Sequence, residues 1–345
     1  TWGTNSVTLD SNGLNFQGND DTYTVEYTTD GQSVNLIFSD STKGWIPLED
    51  DVVADEPVQP PTQKAIFGYG NTGSVVSLTN LVNSSGVVAA DVSGVGTARQ
   101  DLAAASFGGD KGIFGYGKTS SVVSLTNLVS NSGVVAADVS GVGTARSYPA
   151  ATSFGGDKAI FAYGQTGSKV SLSNLVNNSG VVAADVTGVG TARSYLAAAG
   201  FGGDKGIFGY GLVGTTVVSM SNLVSNSGVV AADVTGVGSA RYAPAAAGYG
   251  GDKAIFAYGQ TGSGNVSLKN LVTNLGVVGS DVTGVGTARY APAAVGYGGD
   301  KAIFAYGQGY SLSNLVNSSG VVAADVSGVG TARRELAAAG FSFSA

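Results

Sequence analysis

The side chains that most often carry chemistry at neutral pH are missing from this sequence. Its 345 residues include no histidine and no cysteine. Without imidazole there is no Ser-His-Asp or Cys-His catalytic unit and no ordinary proton shuttle. Without thiols there is no disulfide and no thiolate metal ligand. The sequence therefore predicts no catalytic residues, no metal site and no cofactor.

The remaining charged candidates are an aspartate and an arginine that recur together, eight residues apart. The pairs are Asp91 and Arg99, Asp138 and Arg146, Asp185 and Arg193, Asp233 and Arg241, Asp281 and Arg289, and Asp325 and Arg333. They could form ion pairs between repeats or a set of ligands around a channel. Every copy carries both members, and an acid paired with arginine is a poor cation ligand, so the pattern favours a structural role.

Five tyrosines are candidates for ligand binding. Tyr148, Tyr195, Tyr242 and Tyr290 follow the recurring arginine by one or two positions, and Tyr310 lies in a short segment of the last repeat. Exposed tyrosine rings can stack on sugar faces or anchor an apolar group. Alternatively the rings seal gaps between repeats, and both interpretations stay open.

The chain is an array of six repeats with a period of 47 or 48 residues. One lysine marks each copy of the string GGDKAIFAYG and its variants, at Lys64, Lys111, Lys158, Lys205, Lys253 and Lys301. Periods of this size are typical of propellers and of helical arrays. An interior glycine costs a helix about 1 kcal/mol, and the sequence contains 55 glycines. Runs rich in Val, Thr and aromatics between Gly, Asn and Ser turns predict an all-β array.

Each repeat is predicted to contain four strands. In the third repeat they are residues 149–154, 158–163, 169–176 and 181–189, with a tight Gly-Gly-Asp hairpin between the first two. Six such antiparallel units predict a six-bladed β-propeller. The first strand is mostly alanine, which suits a crowded position near the propeller axis.

The two ends of the array are complementary. Residues before Lys64 lack the alanine strand and the Gly-Gly-Asp turn, whereas residues 335–343 read ELAAAGFSF and have no second strand after them. Residues 336–341 are therefore predicted to pair with residues 64–69, which would close the propeller in its first blade and remove two open sheet edges.

Differences between repeats are concentrated in two segments. The loop after the second strand and the residues after the recurring arginine change in length and composition. Both segments should lie on the same face of an antiparallel blade, and variable loops on a rigid scaffold are typical of binding surfaces.

The first 63 residues do not follow the repeat. Residues 1–48 contain three alternating runs and predict a small β module, and residues 49–63 predict an acidic, proline-rich linker. Residues 64–345 are the predicted propeller.

The first 63 residues have eleven acids and one base, and the rest has no dense basic stripe, so nucleic acid is not expected as a partner. No apolar run reaches the length of a membrane helix, so no membrane is expected either. The start at Thr1 is interpreted as processing or as part of a longer protein.

Two resemblances add to these predictions. The stretch TARSYLAAAGFGGDKGIFGYG at 191–211 resembles kelch-type propellers, with a single glycine in place of that family's pair and no tryptophan near the fourth strand. TWGTNSVTLDSNG and GQSVNLIFSDSTKGW resemble a β module of bacteriophage tail-fibre and other virion structural proteins. That resemblance implies that residues 1–48 connect or oligomerise.

The function expected from these features is that of a non-enzymatic virion structural protein, a bacteriophage fibre or decoration protein. Residues 1–48 would contact other virion or surface subunits in a homo-oligomer or larger assembly. The propeller would face outward, at a virion or extracellular surface, and bind a host-surface glycan or protein. The alternative is a cellular surface or filament protein built from stacked propellers. A carbohydrate-active propeller enzyme is disfavoured because no Asp-box string is present.

Overall fold

The chain is all-β in a computed structural model that describes residues 7–18, 25–27, 34–47 and 62–343. Within those ranges there is no helix, and the strands form several small antiparallel sheets. The chain divides into two compact units, Thr1–Pro60 and Pro61–Ala345. Most of the predicted linker at 49–63 lies outside the described residues.

The described residues of the N-terminal unit form two short antiparallel strand pairs rather than the three predicted strands. Its strands are Val7–Leu9, Val25–Tyr27, Leu36–Phe38 and Trp45–Pro47; the first pairs with the second and the third with the fourth. The third predicted run is therefore split in two. The split occurs because the Asp40 carboxylate accepts hydrogen bonds from the backbone N–H groups of Thr42 and Lys43, each at 2.7 Å, and fixes a turn.

The repeat region contains six three-stranded antiparallel sheets of the same order, in which the second strand is central. The first, second and third strands are Ala337–Phe341, Lys64–Gly68 and Thr79–Val82 in repeat 1; Ala103–Phe107, Lys111–Gly115 and Thr126–Val129 in repeat 2; Ala150–Phe154, Lys158–Ala162 and Ser173–Val176 in repeat 3; Ala197–Phe201, Lys205–Gly209 and Ser221–Val224 in repeat 4; Ala245–Tyr249, Lys253–Ala257 and Lys269–Val272 in repeat 5; and Ala293–Tyr297, Lys301–Ala305 and Ser313–Val316 in repeat 6. Two-residue hairpins follow the second strand in repeat 4 (Leu212–Val213 with Thr216–Val217) and repeat 5 (Gln260–Thr261 with Gly264–Asn265).

The first strand of repeat 1 comes from the C-terminal end of the chain. Ala337–Phe341 pairs antiparallel with Lys64–Gly68, with Ala337 opposite Gly68 and Phe341 opposite Lys64. The same strand contacts the first strands of repeats 2 and 6, and each other first strand contacts its neighbours in the same way. The alanine-rich strands therefore lie side by side, where small side chains are required.

The predicted fourth strand is wrong as a regular strand. In repeat 3 the segment after the third strand pairs with it only through two isolated bridges, Val176 with Val182 and Ser173 with Val186. Between them the side-chain Nδ2 of Asn174 donates to the carbonyl of Ala183 at 3.0 Å. The carbonyl of Ala183 therefore accepts a hydrogen bond from a side chain, whereas in a continuous ladder it would accept one from a backbone N–H. The third strand is also shorter than predicted, beginning at Ser173.

Aromatic pairs join each second strand to the next repeat. The tyrosine after the second strand of one repeat packs edge-to-face against the phenylalanine of the following second strand, with ring centroids 5.2–5.5 Å apart. The pairs are Tyr69–Phe114, Tyr116–Phe161, Tyr163–Phe208, Tyr210–Phe256, Tyr258–Phe304 and Tyr306–Phe67. All twelve rings are buried, so these contacts fill the space between neighbouring sheets.

The Gly-Gly-Asp turns are hairpins in which both glycines have positive φ, for example Gly155 at 61° and Gly156 at 78°. Each turn carries a partly exposed ion pair between neighbouring residues, such as Asp157 and Lys158 at 2.6 Å. The turns are also linked by backbone hydrogen bonds from one repeat to the next, such as Gly155 N to Asp204 O at 2.7 Å.

Candidate functional site

The recurring arginine is the centre of a buried contact between two successive repeats. Arg99 is fully buried, and its guanidinium lies over the ring of Tyr69, with Cζ 4.3 Å from the ring centroid. Nη2 donates to Asn127 Oδ1 at 2.7 Å, and Nε donates to the carbonyl of Tyr116 at 2.9 Å. Tyr69 belongs to repeat 1, whereas Asn127 and Tyr116 belong to repeat 2. A guanidinium suits this position because it stacks on an aromatic face while its planar N–H groups reach several acceptors.

Asp138, the recurring aspartate of repeat 2, takes part in the same contact. Both carboxylate oxygens of Asp138 accept hydrogen bonds: Oδ1 from Asn127 Nδ2 at 2.9 Å, and Oδ2 from the hydroxyl of Thr97 at 2.6 Å. Asp138 Oδ1 is also 3.8 Å from Arg99 Nη1. Burial raises the pKa of Asp138, but the hydrogen bonds from Thr97 and Asn127 and the charge of Arg99 outweigh it and hold the pKa below its ordinary value. The carboxylate is occupied within the protein, which argues against a role as a cation ligand.

All six copies share the arginine contacts with asparagine and aspartate, whereas the Nε bond to a tyrosine carbonyl is made by Arg99, Arg193, Arg289 and Arg333. The arginine Nη2 to asparagine Oδ1 distances are 2.5–2.7 Å and the arginine to aspartate distances are 3.6–4.0 Å. The sets are Arg99 with Asp138, Arg146 with Asp185, Arg193 with Asp233, Arg241 with Asp281, Arg289 with Asp325, and Arg333 with Asp91. Asp91 and Arg99, eight residues apart in sequence, therefore belong to different contacts. The last set joins repeat 6 to repeat 1.

A second repeated position, two residues after the arginine, forms what we name the entry ring. Its members are Asp101, Tyr148, Tyr195, Ala243, Ala291 and Glu335, and all have positive φ between 48° and 59°. Each lies two positions before the start of a first strand. Backbone hydrogen bonds link five of the six steps, from Tyr148 N to Asp101 O (2.8 Å), Ala243 N to Tyr195 O (2.8 Å), Ala291 N to Ala243 O (2.9 Å), Glu335 N to Ala291 O (3.3 Å) and Asp101 N to Glu335 O (3.0 Å).

The two variable segments lie beside each other at this end of the sheets. The residue after five of the six arginines forms a bridge with the loop after a second strand, for example Gln100 with Lys118 and Tyr242 with Gln260. At these bridges the two variable segments therefore lie on the same face, as expected from the sequence.

Two carboxyl groups meet in the entry ring. Asp101 is 3% exposed, and the side chain of Glu335 is 13% exposed. Burial first, and then the charge of Glu335, raises the pKa of Asp101 to about 7. Burial also raises the pKa of Glu335, although Arg334 Nε lies 3.4 Å from its Oε1. Within the described part of the chain, Asp101 Oδ1 and Glu335 Oε2 are buried without a hydrogen-bond partner, which is the arrangement expected of carboxyls that share a proton.

Three of the five candidate tyrosines lie together next to these acids. The rings of Tyr148 and Tyr195 are stacked with centroids 3.6 Å apart, and Tyr242 meets Tyr195 edge-on at 5.6 Å. All three are partly exposed. Burial, and then the charge of Asp101, raises the pKa of Tyr148; burial also raises the pKa of Tyr195 to about 12. Both phenols are therefore neutral hydrogen-bonding groups at physiological pH.

The other two candidates are placed differently. Tyr290 is partly exposed and lies close to Tyr242, whose phenol pKa is raised first by burial and then by the charge of Tyr290. Tyr310 is 39% exposed in the loop of repeat 6, where its backbone N–H donates to Gly307 O at 2.8 Å. No ring contact joins Tyr310 to the other four within the described residues.

Sequence reasoning missed Asp101 and Glu335 as site residues. Their only signal is that the letters QDL and REL after the arginine differ from SYP, SYL and YAP in the other repeats. It also missed that six buried tyrosines lie beneath the arginine guanidinium groups. In the sequence these tyrosines were visible only as a regularly spaced letter of the repeated string.

A search of protein-family models gives no match to this chain, and a search of curated proteins gives none either. The kelch and virion resemblances therefore depend on the quoted residues alone. Among the residues described, no helix is long and apolar enough to cross a membrane, and no three acidic side chains are grouped as a metal site would require.

Proposed function

We propose that residues 64–345 form a six-bladed β-propeller closed by the C-terminal strand, and that the chain is a non-enzymatic structural protein that displays this propeller on a virion. The observation that carries the proposal is the division between repeated and variable residues. The arginine contacts and aromatic pairs recur in all six repeats. The segments that differ between repeats lie together at one end of this scaffold.

The closed-propeller part is supported by the repeat 6 to repeat 1 contacts. Arg333 donates from Nε to Tyr69 O at 2.9 Å and from Nη2 to Asn80 Oδ1 at 2.6 Å. The Nη2 bond recurs between every other pair of successive repeats, and the Nε bond recurs at Arg99, Arg193 and Arg289. Closure of this kind protects the sheet edges that an open array would leave exposed.

The display part is supported by the entry ring and its tyrosines, which give one face a binding surface for a host-surface glycan or protein. The attachment part is supported by the separate compact unit at Thr1–Pro60 and by its resemblance to virion β modules. A fibre or decoration protein needs both parts, one that attaches and one that faces outward.

Site-directed photo-cross-linking in the intact assembly tests this function. A photoreactive residue at Ile37, which is 48% exposed, should cross-link to capsid or tail subunits. The same residue at Val277, which is 60% exposed in the repeat region, serves as the matched control and should give no such product. Cross-links from Ile37 to the repeat region of another copy would overturn the virion assignment.

A second candidate function, a surface or filament protein built from associated propellers, is favoured by one observation. Three exposed valines recur in every repeat on the outer segment after the third strand. They are Val87, Val92 and Val95; Val134, Val139 and Val142; Val181, Val186 and Val189; Val229, Val234 and Val237; Val277, Val282 and Val285; and Val321, Val326 and Val329. Exposed apolar surface on this scale is typical of protein association, and cross-links from Val277 to a second copy would support this alternative.

A further inference from the structure

We infer that the entry ring and its tyrosines form a binding site for an uncharged sugar, with Tyr148, Tyr195 and Tyr242 as the stacking surface and Glu335 and Asp101 beside it. This inference depends on the proposed function, because it names the ligand class of the displayed face.

The entry ring has residues that a purely structural ring would not need. A backbone with φ near +55° favours glycine or asparagine. The chain contains 55 glycines, yet this position has tyrosine in two repeats, alanine in two and an acid in two. Since Ala243 and Ala291 adopt the same φ and the same backbone hydrogen bonds, the larger side chains are not required for the ring itself.

The shape and chemistry of the tyrosines suit a sugar. Tyr148 stacks on Tyr195, and Tyr242 meets Tyr195 edge-on, so three partly exposed rings follow one another in contact. The pyranose ring of a sugar presents an apolar C–H face that packs on such a surface, and its hydroxyls need nearby donors and acceptors.

Polar groups for those hydroxyls lie beside the rings. The Tyr242 hydroxyl donates to Gln260 Oε1, and Gln100 Nε2 donates to Asp101 Oδ2 at 3.1 Å. Asp101 and Glu335, whose buried carboxyls share a proton, lie in the same ring. The site therefore offers phenol and amide groups next to an aromatic surface, with the carboxyl pair beside them.

The local charge balance argues for an uncharged ligand. Arg334 Nε is 3.4 Å from Glu335 Oε1, and the charge of Lys118 acts on both acids. Because Asp101 and Glu335 share a proton, they leave no excess of negative charge for a metal ion. Arg334 is already paired with Glu335, so it is not free to pair with an acidic sugar.

The test is binding of the full chain to a panel of neutral, acidic and amino-substituted oligosaccharides, measured by calorimetry. The informative variants are Tyr148→Ala and Tyr195→Ala, because the chain already has alanine at this ring position in two repeats. The matched control is Tyr249→Phe, at the opposite end of the sheets, where other repeats have phenylalanine. Thermal unfolding of all three variants verifies that they are folded.

The expected result is binding of a neutral oligosaccharide that weakens about tenfold in each alanine variant and is unchanged in Tyr249→Phe. Equal affinity in the alanine variants would place the ligand elsewhere and overturn the site. Preference for charged sugars, or no binding by the wild-type chain to any neutral member, would overturn the ligand class. Since the Ile37 cross-linking experiment does not depend on sugar binding, failure of the sugar site is distinguishable from failure of the proposed function.

Discussion

Nη2 of Arg333 donates to Oδ1 of Asn80 at 2.6 Å, although 253 positions separate the two residues. In the other five copies the same bond joins an arginine to an asparagine only 25–29 positions later. Successive repeats are therefore joined by one repeated contact, and the contact between the last and first repeats has the same chemistry as the rest. The stability of the array should depend on these arginines more than on any surface charge.

Replacement of one buried arginine should destabilise the repeat region strongly. Arg193→Met removes the donors to Asn222 Oδ1 (2.5 Å) and Tyr210 O (3.1 Å) and leaves Asp233 without its cation. Loss of one partner from a buried pair typically costs about 3–5 kcal/mol, which should appear as a lower midpoint in urea or thermal unfolding.

The control for this change is Lys205→Met. Lys205 forms an ion pair with Asp204 at 2.9 Å, but its side chain is 45% exposed, and exposed pairs contribute about 0–1 kcal/mol. Equal shifts in the two variants would contradict a stabilising role for the buried arginine.

Removal of the C-terminal strand should expose the first repeat. A chain that ends at residue 334 lacks Ala337–Phe341, the neighbour of Lys64–Gly68, and leaves Ile66 and Phe67 on an open edge although both are fully buried in the intact chain. We expect aggregation in size-exclusion chromatography and increased binding of an apolar dye. A chain that lacks only residues 344–345 is the control. If the 1–334 chain stays monomeric with an unchanged unfolding midpoint, the proposed closure is wrong.

The free energy of unfolding should decrease as the pH rises from about 4 to about 7, because of Asp101. The ordinary pKa of this carboxyl is 3.8, and burial together with Glu335 raises it to about 7 in the folded chain. Between these values the unfolded chain has released a proton that the folded chain retains, so each rise in pH favours unfolding until the folded group also ionises. Asp101→Asn should remove this part of the pH dependence, measured as thermal midpoints at pH 4.5, 6 and 8.

Glu335→Gln provides the companion measurement. It removes the neighbouring charge but keeps the burial of Asp101, so it should reduce the pH dependence without abolishing it. A parallel pH profile in wild type and Asp101→Asn would mean that the pair does not share a proton in the folded chain.

Much of the fold could be predicted from local pattern. The lysine period, the Gly-Gly-Asp hairpins and the alanine strand all report on contacts within one repeat, and those strands occur within one or two residues of their predicted bounds. The fourth strand could not be predicted, because a valine-rich run is expected to form a ladder. The side chain of Asn174 takes the carbonyl of Ala183 instead, and nothing local in the sequence reveals that competition.

The candidate site was only partly predictable for a related reason. Tyr148, Tyr195 and Tyr242 follow successive arginines, so the repeat itself places them near one another. Asp101 and Glu335 are 234 positions apart, and they meet only because the C-terminal strand pairs in the first repeat. The positive φ of their backbone likewise does not follow from residue type, because tyrosine, alanine and acidic residues all adopt it at this position.

A glycine in the outer segment should be among the least replaceable residues of each repeat. In repeat 3 this residue is Gly188, where a Cβ would lie 2.0 Å from the carbonyl oxygen of Ser171 and 2.1 Å from its carbon. Both atoms are backbone, so no side chain can rotate to make room, and the outer segment must move away from the third strand. Gly188→Ala should therefore destabilise the repeat by about 1–3 kcal/mol, measured as a lower unfolding midpoint.

Gly167→Ala is the control, since a Cβ there has no heavy atom within 4 Å, and its free energy of unfolding should change by about 0.5 kcal/mol or less. If both variants unfold at the wild-type midpoint, the close approach at Gly188 contributes nothing to the packing of the outer segment.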